Sequence, residues 1–100
     1  MQKYELSDSD VKAILCALEV LPSYDFAPDF AADFVVSVGY KLTHRKPLTK
    51  REEYLVAVSI DCAFLALRDE LTASEEILSL LRPYLFTINK LHPYVVPLLN

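Results

Sequence analysis

Five formal positive charges lie between Lys41 and Arg51 (KLTHRKPLTKR), with no acidic residue among them. The flanking sequence is acidic: residues 1–40 carry two basic and seven acidic groups, and residues 52–100 carry three and seven. Charge segregated in this way can form a site for an anion, a nucleic acid or an acidic partner where two helix ends meet. The residues that would build it are Lys41, His44, Arg45, Lys46, Lys50 and Arg51. A plainer reading is a solvated loop whose Lys41, His44 and Arg45 suit the negative end of the preceding helix. Lys50 and Arg51 fit that reading less well, because cations are disfavoured in the first turn of the next helix. Glu52 and Glu53 offset them there.

Asp61 is the second candidate. At helical spacing its neighbours are Ala57, Val58, Phe64 and Leu65, so a carboxylate interrupts an apolar surface. Burying such a group is costly unless it is paired or protonated, and Arg68, two turns on, is the expected in-chain partner. Asp61 and Arg68 together therefore form a candidate buried polar contact.

A third group, Asp25, Asp29 and Asp33, has the i, i+4, i+8 spacing that could gather carboxylates on one helix face. Asp25 precedes Pro28 and falls in a loop, and no Glu-x-x-His pattern supplies further ligands. No metal site is expected, and Asp29 reads as a first-turn residue at the positive end of helix two.

Catalysis has little to stand on. His44 and His92 are remote from each other in sequence, and His92 precedes a proline. Cys16 and Cys62 sit in apolar helical patterns without the cationic setting that activates a thiolate. They form neither a CxxC pair nor a disulfide framework. The single glycine, Gly39, rules out Gly-rich phosphate loops and dinucleotide fingerprints. No catalytic residue and no cofactor is expected, and the reading is that of a non-enzyme.

The elements that hold these residues are helical. Ser7 caps the first helix, with Leu6 and Val11 as a hydrophobic staple and Asp10 at N3. Val11, Ile14, Leu15, Leu18 and Leu21 follow the 3.6-residue period until Pro22. Residues 22–26 form a loop, and Pro28 is expected in the first turn of helix two. Phe30, Ala31, Phe34, Val35, Val38 and Leu42 make its apolar stripe. Gly39 within it suggests close approach of another helix.

Thr49 and Glu52 form a capping box for helix three, expected to reach about Leu71. Between Tyr54 and Leu67 this helix reads YLVAVSIDCAFLAL, in which only Ser59 and Asp61 are polar. A helix apolar on nearly every side must be enclosed by protein, either as the centre of a bundle or as the seam of a dimer. It is too short to span a membrane, which takes roughly 20 apolar residues.

Thr72 and Glu75 repeat the capping signature. Ile77, Leu80, Leu81, Tyr84, Leu85, Ile88 and Leu91 then stay in phase across Pro83, which favours one kinked helix. Pro93 and Pro97 should restrict the apolar tail to a short turn or extended segment.

The 100 residues thus read as a single all-α domain, a small bundle of four principal helices with a nearly all-apolar third helix and a short apolar C-terminal tail. A hydrophobic share of 53% is high for so short a chain and points to apolar surface covered by a partner. The tail residues Tyr94, Val95, Val96, Leu98 and Leu99 are the candidate interface, docking either on their own bundle or on a second chain. A net charge of −4 argues against a nucleic-acid partner. The N-terminal residues lack the cationic and apolar regions of a secretory leader, so a reduced, cytoplasmic setting is expected. The function expected is protein interaction, with a homodimer as one form. Adaptors, immunity-type inhibitors and assembly factors fit equally. The alternative is a regulator that binds an anionic ligand or nucleic acid through residues 41–51.

Overall fold

The computed structural model describes residues 5–100, so Met1, on which the leader expectation partly rests, lies outside it. Five α-helices follow in order: α1 (Asp8–Val20), α2 (Ala32–Thr43), α3 (Lys50–Leu67), α4 (Glu75–Leu81) and α5 (Leu85–Val95). With α4 and α5 counted as the two halves of one rod, this is the expected all-α bundle of four principal helices, and no strand occurs among the described residues. Short 3-10 turns follow α1 (Leu21–Ser23), join α4 to α5 (Arg82–Tyr84) and close the chain (Val96–Leu99).

Local chemistry explains where the helices begin. Ser7 accepts from the Asp10 amide, and the Asp10 carboxylate accepts from the Ser7 amide, which completes a capping box on α1. Thr49 and Glu52 do the same for α3. The start of α4 differs from expectation: Ser74 rather than Thr72 is the cap, accepting from the Ile77 amide. α2 begins at Ala32, four residues beyond Pro28, with no side-chain cap. Phe30 stacks on Phe34 at 5.7 Å and lies 6.4 Å from Tyr54, so aromatic packing rather than proline sets that entry. Asp33, not Asp29, therefore occupies its first turn.

Two helices end in the same way without glycine. After α2 the Lys46 amide donates to Lys41 O, with Arg45 at φ 57°. After α3 the Glu70 amide donates to Leu65 O and the Asp69 amide to Ala66 O, with Asp69 at φ 60°. Both are Schellman closures, a left-handed residue that lets the chain turn back on its last carbonyls. The second one stops α3 at Leu67, short of the expected Leu71.

α3 packs against α1, α4 and α5, and Leu55, Val56, Ala57, Ile60 and Ala63 on it are fully buried. It is the central helix of this bundle, enclosed by its own chain. At Pro83 α4 passes through the 3-10 turn Arg82–Tyr84 directly into α5, because the proline ring removes one backbone donor and crowds the carbonyl four residues back. The tail also departs from expectation. α5 continues through Pro93 to Val95, and a 3-10 turn carries Leu98 and Leu99 against the core. Val95 is fully buried, and burying it outweighs the hydrogen bond lost at Pro93. The tail thus docks on α3 of its own bundle.

Gly39 faces Leu15 on α1, yet a methyl added there would lie 3.6 Å from Leu15 Cδ2, an ordinary contact. Close approach does not require glycine at that position. No helix among the described residues is long and apolar enough to cross a membrane.

Candidate functional site

The basic stretch bends back on the molecule. Lys41 Nζ lies 2.9 Å from Glu52 Oε1, joining α2 to the buried capping carboxylate of α3. The Lys41 ammonium first, and the Thr49 amide next, hold the Glu52 carboxyl below its ordinary value. Arg45 donates to Leu6 O at 2.7 Å and pairs with Asp8, which ties the end of α2 to the start of α1. His44 stacks on Tyr40 with ring centroids 4.0 Å apart, and its Nδ1 lies 2.9 Å from Tyr40 O. The Arg51 guanidinium sits 4.8 Å from the Phe34 ring centre. Lys46 and Lys50 are exposed and concentrate the remaining positive charge of the stretch.

Asp61 does not pair with Arg68. Its Oδ1 lies 2.8 Å from His92 Nε2, across the packed seam of α3 and α5. Phe64, three residues along α3, lies flat on the His92 ring, with centroids 3.6 Å apart and planes 6° from parallel. Arg68 covers Phe64 from 5.1 Å and pairs with Glu70 at 2.8 Å. Helical spacing puts Asp61, Phe64 and Arg68 on one face of α3, and α5 supplies the imidazole. The pair is half-buried, so the carboxylate keeps some water and gains a directed partner. The proximity of Arg68 in sequence was the misleading signal; His92 is 31 residues away.

A second ion pair was not legible from the sequence. Asp10, only 1% exposed, lies 3.2 Å from Lys90 Nζ and thereby links α1 to α5. Burial pushes the Asp10 carboxyl up, but the Ser7 amide and hydroxyl together with Lys90 outweigh it and leave the group lowered. Taking this carboxylate out of water costs much of what the ion pair returns, so the contact joins α1 to α5 while adding little net stability.

The thiols are not poised for chemistry. Burial pushes Cys62 up to about 11, with Asp61 adding to the rise. Cys16 is raised too, by burial first and then by Glu19, and its thiol donates to Leu80 O at 3.4 Å. Tyr24 is pushed up to about 12 by burial, with both cysteines contributing.

Asp25 and Asp29, with Tyr24 and Phe30, line a shallow pocket of about 350 Å³ beside Pro28, and Asp33 stands apart on α2. Among the described residues no three His, Cys, Asp or Glu side chains are grouped to hold a metal ion. Of the tail residues, Val95 is buried, Val96, Leu98 and Leu99 are half-buried, and Tyr94 is exposed.

These features define a small all-α bundle whose polar contacts mostly join its own helices. Comparison with family models, with curated proteins and with solved structures found no match.

Proposed function

We propose that this protein is a helical interaction module that binds other protein surfaces, its own included, in a reducing cytoplasmic setting. The observation that carries the reading is the apolar surface left over once the core is complete. Most of α3 and the tail residues Val95, Leu98 and Leu99 are already packed on the core, yet Phe86 is 81% exposed, Val36 71% and Phe26 70%, with Tyr40, Tyr54, Leu80, Leu85 and Tyr94 also open. Large apolar side chains in water lose the stabilisation that burial gives, and so many on so small a domain mark surfaces meant to be covered. Adaptor, inhibitor and assembly roles all use a surface of this type.

Solution mass by size-exclusion chromatography with light scattering, across a tenfold dilution, tests self-association. The expected result is a mass above the 11.4 kDa of one chain that falls on dilution. A mass of one chain at every concentration would remove self-association from the reading.

A further inference from the structure

α1 presents a charged and apolar stripe to solvent beside α4. Lys12, Leu15, Cys16 and Glu19 on α1, with Leu80 and Tyr84 opposite them, line an open depression of about 630 Å³. Leu80 is 49% exposed on its rim. Lys12 and Glu19 are exposed, and among the described residues neither joins an ion pair. They stand seven residues apart on one helix, two turns and about 10 Å at 1.5 Å per residue, with Leu15 and Cys16 between them. The patch is therefore positive at one end, negative at the other and apolar in the middle.

We infer that this face of α1 and α4 is a two-fold interface for a second copy of the chain. In an isologous contact, residue i of one copy meets residue j of the other, and j meets i. Antiparallel pairing of α1 with its partner's α1 places Lys12 opposite the partner's Glu19, and the reverse, on either side of the axis. That axis then passes between Leu15 and Cys16, and Leu80 of each copy closes over the apolar centre. The arrangement has an apolar core with charges at its edge, as specific interfaces do. Of the two ways to set α1 against its own copy about a two-fold axis, parallel and antiparallel, only the antiparallel one places each charge opposite its counter-charge, which favours a second copy in that register.

This inference rests on the self-association proposed above and gives it one surface, which takes Leu80 from the exposed apolar side chains. The test is the dimer dissociation constant of the full chain and of the variants Lys12→Glu, Glu19→Lys, Lys12→Glu/Glu19→Lys and Leu80→Asp, by sedimentation. Circular dichroism confirms that each remains helical. Each single reversal sets like charges together twice, so it should weaken the dimer about tenfold or more, and the double reversal should restore it to within a few-fold. Leu80→Asp should also dissociate it, and the exposure of Leu80 leaves the fold of the single chain intact. A dimer indifferent to the single reversals would overturn this face while self-association stood. A double reversal as weak as the singles would equally overturn the antiparallel pairing. A wild-type chain that never dimerises would overturn self-association itself.

Discussion

Tyr24 shows how a single group can be buried at a cost. It is 5% exposed, its ring packs in the core, and its hydroxyl is buried with no hydrogen-bond partner among the described residues. Desolvation without a compensating bond costs about 1–3 kcal/mol. Tyr24→Phe keeps the ring and removes the orphaned oxygen, so it should leave stability unchanged or raise it by about 1 kcal/mol in a denaturant melt. A loss of more than about 1 kcal/mol would mean that the hydroxyl is satisfied. Asp61 illustrates the opposite case. Its carboxylate would be costly on an apolar surface, but His92 supplies the missing bond at 2.8 Å. The sequence marked Asp61 as needing a partner, because an acid amid Ala57, Val58, Phe64 and Leu65 has none nearby. Which partner it takes depends on how α3 and α5 cross, and no local pattern carries that information.

At the scale of the element, the starts marked by a capping box were legible, whereas the starts of α2 and α4 and the end of α3 were not. The capping boxes at Ser7 and Thr49 involve residues three apart, so their energetics are complete within one turn. The ends after α2 and α3 are Schellman closures at Arg45 and Asp69, where a left-handed residue is usually glycine. After α2 the basic residues and Pro47 still marked an end at Thr43, whereas after α3 the absence of glycine left no stop signal at Leu67.

Glu52 joins the two levels, since it caps α3 and anchors Lys41 of α2. Its carboxyl is held below the ordinary 4.5, so its contribution is complete above that value and is lost as pH falls through the lowered one. Glu52→Gln keeps the capping geometry and removes the charge. It should cost about 1 kcal/mol at pH 7, with the difference from wild type shrinking as pH falls below 4.5 through the lowered value, as read by thermal melts across pH. Equal differences at every pH would show that the charge contributes nothing.

At the scale of the whole molecule, the tail and the ion pairs decide which helices meet. Asp10–Lys90, Asp61–His92 and Arg45–Asp8 each bridge helices far apart in sequence. Removing residues 96–100 would strip Leu98 and Leu99 from α3, where both are half-buried against the core. The loss should be about 2 kcal/mol in chemical denaturation, in line with the area bookkeeping for two partly buried leucines. Because the tail serves its own bundle, the oligomeric mass should be unchanged by the truncation. Loss of a dimer would return the tail to the role of interface.

The helical class, the capping boxes at Ser7 and Thr49, and the need for α3 to be enclosed by protein were settled by the amino-acid sequence alone. Each rests on periodicity or on contacts within a turn or two, where geometry follows from spacing. The tertiary structure decided that the chain's own helices enclose α3, the partner of Asp61, the burial of Val95 beyond Pro93, the internal use of Lys41 and Arg45, and the 3-10 turn at Pro83. These depend on energies shared between remote segments, where burial and pairing outweigh local preference, and such energies exist only once the helices are packed.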